Sequence, residues 1–180
     1  YAYYKDAGGA ERKAIIDDSR PKSWYRDAAG EVCRDLDPRE FAGIVQGAEG
    51  VLWVDIDVDS RHQHALLEKV FQFHPLSVED TLSPDGRVKY EEYPSYGLVV
   101  VRAVRFMPET DDPYDIETFN LWCFIGRNYV VTVHGPHAPG VDTTLDRLSR
   151  STELIERGAG RLAHQILDAT VDAYFPIVEQ

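Results

Sequence analysis

Long apolar runs are missing from this sequence. The longest, Gly97 to Val101 and Leu121 to Gly126, fall far short of the about 20 mostly apolar residues that a bilayer-spanning helix takes. The residues present are therefore expected to be water-soluble. Cysteine is scarce: Cys33 and Cys123 lie far apart and belong to no Cys-x-x-Cys pair. That argues against a zinc ribbon or a disulfide scaffold and fits a reducing compartment. No basic cluster followed by an apolar stretch opens the chain, so no secretory signal is read. Also absent are Gly-x-Gly-x-x-Gly, a P-loop, Gly-x-Ser-x-Gly and His-Glu-x-x-His, the usual signatures of nucleotide binding and hydrolysis.

Positive charge is short as well. Lys and Arg number 19 against 31 Asp and Glu, a formal net charge of −12. Binding to a phosphate backbone or an anionic membrane needs a basic face, so nucleic acid is not an expected partner and cations are. On charge alone the plainer reading, an acidic surface that keeps the molecule dissolved, is the better of the two.

What is there fits one α/β domain. A chain of 180 residues can bury a core without metal or disulfide staples. Residues 1–22 carry no pattern and are expected to be an irregular lead-in to a domain over 23–157. Trp24–Asp27 and Glu31–Arg34 read as short strands around an Ala28-Ala29-Gly30 turn, and Asp37-Pro38 opens a helix to about Val45. Val51–Val54 is a buried strand running into acidic Asp55–Asp59. Leu66, Leu67, Val70 and Phe71 repeat at helical spacing after a cap at Asp59 or Ser60. Pro75 begins another helix to about Leu82, broken by Pro84-Asp85-Gly86.

Strands follow at Val88–Glu92, Leu98–Phe106, Ile116–Ile125 and Tyr129–His134, the last two a hairpin across Gly126-Arg127-Asn128. Helices close the chain, at Val141–Leu148 and from about Gly158 to Gln180. The last has a stripe of Leu162, Ile166, Thr170, Ala173 and Ile177 and a proline, Pro176, inside it. A kink and a helix boundary both accommodate that proline. The expected fold class is α/β: a mixed, partly antiparallel central sheet flanked by helices, ending in the first part of a long helix over 158–180.

Five segments, in order, resemble one family. His74-Pro75-Leu76-Ser77-Val78-Glu79-Asp80 resembles the His-Pro-Leu-x-x-Glu-Asp helix of CorA-type divalent-cation transporters. Arg87-Val88-Lys89-Tyr90-Glu91-Glu92-Tyr93 resembles their Arg-Pro-Lys-x-Glu-x-Tyr strand, with valine in place of proline. Val51–Asp55 is similar to their first core strand, Gly126–His134 to a hairpin arm, and Leu167–Pro176 to the start of their stalk helix. The resemblance implies the cytoplasmic domain of a homopentameric transporter, severed from the membrane helices and their Gly-Met-Asn pore mouth. Such a fragment cannot itself transport and is not an enzyme. It would lie at the cytoplasmic face of the cell membrane, with its own membrane helices and further copies of itself as partners.

The resemblance also implies a regulatory ion, Mg²⁺ or one of Co²⁺, Ni²⁺ and Zn²⁺, held between subunits by Glu79 and Asp80. Adjacent helical residues point about 100° apart, so one chain cannot readily turn both carboxylates onto one ion. A competing reading pairs Glu79 or Asp80 with Arg87 or Lys89. A zinc-transporting member of the superfamily would share the same fold. One alternative lies outside the family: a metal-dependent hydrolase built on Asp55, Asp57, Asp59, His62 and His64, although Ser60 and Leu66 break the EF-hand pattern there. His134-Gly135-Pro136-His137 could take a soft metal, or be a loop with two incidental histidines.

Overall fold

The structure is a computed structural model and describes residues 2–5, 11–14, 20–83, 85–107, 110–112, 115–135 and 137–179. Where the sequence gives no pattern, β1 (Ala2–Lys5) and β2 (Glu11–Ala14) form an antiparallel ribbon. The lead-in is thus partly β, and the first strand of the main sheet begins at Lys22.

Seven strands make the main sheet, in the order β4-β3-β5-β9-β8-β7-β6. They are β3 (Lys22–Arg26), β4 (Val32–Arg34), β5 (Val51–Asp57), β6 (Lys89–Glu92), β7 (Tyr96–Phe106), β8 (Ile116–Gly126) and β9 (Tyr129–His134). Only β5 and β9 run parallel; every other neighbouring pair is antiparallel. The mixed, partly antiparallel sheet is the expected one. Both central strands read as nearly unbroken apolar runs because helices cover the sheet on both faces.

Alternation along β5 sorts the two cores. Leu52, Val54 and Ile56 enter a cluster with Phe41, Leu67, Phe71 and Phe73, while Val51 and Trp53 enter a second with Leu148, Leu162 and Ile166. The first face is roofed by α1 (Pro38–Gly47), α2 (Arg61–His64), α3 (Leu66–Lys69) and α4 (Pro75–Asp80), and the second by α5 (Pro139–Arg150), α6 (Glu153–Glu156) and α7 (Ala159–Asp172). Leu121 and Cys123 of β8 lie in the second cluster with Phe119 and Ile125 packed on it, as their shared spacing requires.

Local chemistry sets the helix ends. Asp37 and Glu40 form a capping box around Pro38 at the start of α1, and Ala48 closes it in the left-handed region at φ 52°. Gly50 then turns the chain into β5 at φ +70°. A Cβ there would stand 2.2 Å from the Arg26 carbonyl oxygen, so only glycine fits. The helix expected after Ser60 is two short pieces, α2 and α3, with the Ser60 hydroxyl accepting from the Gln63 amide.

The expected helix over 158–180 is also two. Regular α7 ends at Asp172, Ala173 and Tyr174 form a turn, and α8 (Phe175–Val178) carries Pro176 in its first turn. Proline has no N–H to give the Asp172 carbonyl, and the boundary alternative is the one realised. Leu162, Ile166 and Thr170 of the expected stripe are buried, whereas Ala173 and Ile177 are half-buried. The Tyr174 hydroxyl donates to the Arg102 carbonyl at 2.8 Å, tying the turn to β7. Val171 before the turn and Phe175 and Val178 after it stand exposed. Among the described residues no helix is long and apolar enough to cross a membrane.

Candidate functional site

Helix α4 has six residues, far below the length at which a helix holds in water unaided. Tertiary contacts hold it instead. Pro75 presets its first turn, and His74 Nδ1 accepts from the Leu76 amide at 3.2 Å. The His74 amide donates to the Tyr96 hydroxyl at 2.9 Å, and Ser77 meets the same hydroxyl at 3.1 Å. Phe73, just before the helix, stacks on Phe124 with ring centroids 4.1 Å apart. Val78 faces the core, so Glu79 and Asp80 are left at the outer end: Glu79 exposed, Asp80 half-buried.

Below them runs β6, an edge strand. Its period of two turns Lys89 and Glu91 toward α4 and Tyr90 and Glu92 to solvent. Lys89 Nζ lies 2.7 Å from Asp80 Oδ2 and 3.1 Å from Glu91 Oε1. The pairing with Lys89 considered from sequence is therefore present, and it joins Asp80, not Glu79. Asp80 Oδ2 is shielded from solvent, and the Lys89 ammonium is its close charged partner. Tyr93 donates its hydroxyl to Glu91 Oε2 at 2.8 Å. Asp80 raises the Lys89 pKa above the usual lysine value, with Glu91 adding to the shift. The Tyr93 hydroxyl first, then Lys89, lowers that of Glu91. Glu91 and Tyr93 were quoted from sequence as part of the family-like strand but given no part in the site; the alternation of Lys89 and Glu91 along β6 was the available signal.

This donor set suits a divalent cation only in part. A carboxylate oxygen shielded from solvent welcomes positive charge. However, no three His, Cys, Asp or Glu side chains among the described residues converge on one point. Mg²⁺ takes one or two carboxylates and keeps several waters, so a partial shell fits that ion better than it fits a zinc cage. Leu76, Leu82, Val88 and Tyr90 are exposed on the same two elements and the turn between them, each with more than half of its surface in solvent.

The alternative cluster does not assemble. His64 Nε2 lies 2.8 Å from the Thr81 hydroxyl, which spends its own proton on the Val78 carbonyl, so His64 is the donor there. Burial lowers the His64 pKa. Asp57 accepts from the Asp59 amide, and His62 and Asp59 are exposed. Asp55 turns instead to β9, accepting from Thr132 at 2.5 Å and from His134 Nε2 at 2.8 Å, while Trp53 Nε1 donates to Thr132. His134 and His137 do not pair on a metal either, since His137 meets Asp142 at 2.9 Å.

His134 carries the clearest pH dependence. Burial alone would lower its pKa, but Asp55, the Gly135 carbonyl and Asp142 outweigh that and raise it. A raised pKa stabilises the fold fully below the unfolded value of about 6.5 and loses that contribution as pH rises through the folded value. Thermal unfolding between pH 6 and 9 should therefore show a decline in Tm, diminished in Asp55→Asn. An unchanged slope in that variant would refute the assignment.

Residues 48–180 match the family described as CorA-like Mg2+ transporter protein. A Bacillus subtilis protein named for metal ion transport, YfjQ, is 35% identical over 126 residues, covering 70% of this chain and 37% of that protein. The soluble domain of CorA from Methanocaldococcus jannaschii superposes with a TM-score of 0.66 at 18% identity, over 93% of this chain and 61% of that one. The ZntB cytoplasmic domain from Vibrio parahaemolyticus gives a TM-score of 0.63 at 12% identity, over 88% and 61%. These structures share the fold, and the chain spans well under half the length of the curated relative.

Proposed function

The chain belongs to the CorA-like Mg2+ transporter family, and from that premise we propose that it is the cytoplasmic regulatory domain of a divalent-cation transporter. In this reading Glu79 and Asp80 bind Mg²⁺ where two copies of the chain meet, and the ion holds the assembly in its closed state. The membrane helices of the longer protein carry the transport, and this domain lies at the cytoplasmic face of the cell membrane. The observation that carries the proposal is the half-buried Asp80 carboxylate, its Oδ2 shielded from solvent and held against a cation, where the described residues of its own chain bring no three metal-ligating side chains together. A neighbouring copy completes the shell, and the exposed apolar side chains Leu76, Leu82, Val88 and Tyr90 around it supply the apolar part of that contact.

Thermal unfolding in a Mg²⁺ series tests this. At a concentration of about 100 times the Kd, ligand linkage stabilises by about 2.7 kcal/mol, which raises Tm by roughly 5–11 °C in a domain of this size. Asp80→Ala should abolish the rise, and light scattering should register association that the variant lacks. A wild-type Tm indifferent to Mg²⁺ would falsify the proposal. Parallel series with Co²⁺, Ni²⁺ and Zn²⁺ read out the ion preference, and a response confined to Zn²⁺ would move the assignment to a zinc-transporting member.

A further inference from the structure

We propose that Lys89 is a built-in competitor for the divalent ion, an ammonium tethered where the metal binds, and that it sets the concentration at which the site responds. The inference rests on the reading of Asp80 as a metal ligand.

Three observations carry it. First, Lys89 Nζ reaches carboxylate oxygens on two different elements, Asp80 of α4 at 2.7 Å and Glu91 of β6 at 3.1 Å. Two oxygens within 3.1 Å of one nitrogen can both face one ion after a small closing movement, since Mg²⁺–oxygen distances are about 2.0–2.1 Å. Glu91 thereby becomes a second ligand from the same chain. Second, the Tyr93 hydroxyl fixes Glu91 through its other oxygen, Oε2, so that carboxylate stays aimed when the ammonium leaves. Third, β6 is an edge strand beside solvent, and the long lysine stem can swing outward without breaking the core.

The consequence is a threshold. A divalent ion and an ammonium cannot share Asp80 Oδ2 without strong repulsion, so binding proceeds by exchange. An intramolecular competitor has a fixed effective concentration that no dilution lowers. The site accordingly stays in its lysine-bound state at trace ion levels and changes over only when the ion is abundant, which suits a regulatory role.

Mg²⁺ titrations followed by thermal shift on the full chain test the idea. Lys89→Met should lower the Mg²⁺ midpoint about tenfold, the scale of coupling between charges in one ion-pair network, while lowering Tm without the ion. Lys89→Arg should stay near the wild type, and Lys69→Met, an exposed lysine on α3, should not move the midpoint. Glu91→Gln added to Lys89→Met should reverse the gain. Lys89→Gln serves as a second variant if methionine does not fold. A Lys89→Met midpoint equal to or above that of the wild type, with a wild-type response that Asp80→Asn removes, overturns the competitor and leaves Mg²⁺ binding standing. Absence of any response in both the wild type and Lys89→Met overturns both.

Discussion

Phe73→Ala is expected to cost about 3–5 kcal/mol of stability, the range for removing a large buried ring, and to lower Tm by roughly 6–20 °C. The residue is 2% exposed. Its ring stacks on Phe124 and lies against Phe71, Tyr96 and Tyr129, so truncation opens a cavity that rigid neighbours cannot fill. The effect should extend to the ion site. Phe73 immediately precedes the short helix that presents Glu79 and Asp80, and that helix has little stability of its own. The Mg²⁺-dependent rise in Tm should therefore shrink in Phe73→Ala and survive in Phe73→Leu, which keeps most of the volume. Equal losses in the two variants would argue against this account.

Gly140→Ala should be comparably damaging, at about 3 kcal/mol or more, the upper end of the overpacking range. It lies in the first turn of α5, where that helix crosses α7. A Cβ there would stand 2.6 Å from the Thr170 backbone nitrogen and Cα, and backbone cannot step aside as a flexible side chain can. Thr170 commits its own hydroxyl to the Ile166 carbonyl, and Thr144 likewise to Gly140, so this crossing has no slack. Tm should fall by roughly 6–12 °C. Gly160→Ala, at a position where a Cβ meets nothing within 4 Å, is the control. A Gly140→Ala chain that melts within about 2 °C of the wild type would mean that the two helices separate easily.

Neither requirement was visible in the sequence. Gly140 sits among thirteen glycines, and only the crossing distance distinguishes it. The sheet was easier to read, because β5, β7, β8 and β9 announce themselves through runs of Val, Ile, Leu and aromatic residues whose spacing survives folding. Ala2–Lys5 and Glu11–Ala14 were missed as strands for the opposite reason: their mixed composition has no period. Helix α7 was legible from its stripe, yet its end was not, since Pro176 fits both a kink and a boundary and only the turn at Ala173 and Tyr174 decides. At the site, the pairing of Asp80 with Lys89 was among the possibilities considered, but the part of Glu91 depends on the register of an edge strand. Asp55 was grouped with the histidines that follow it in the chain, whereas its partner, His134, arrives from β9 across the parallel pair.

That parallel pair has a consequence for how the chain is made. β3, β4 and β5 can assemble early, and β6, β7 and β8 can form a meander of their own, but β9 alone joins the two half-sheets. It is translated after both. About seventy residues separate β5 from β9, so at about 5–20 residues per second the ribosome leaves β5 with one bare edge for roughly 4–14 s. During that interval the nascent chain exposes the β5 edge, the kind of surface that invites pairing with another chain. Completion of the sheet thus waits on six residues, Tyr129–His134, and chaperone dependence during synthesis should centre on the interval before they appear.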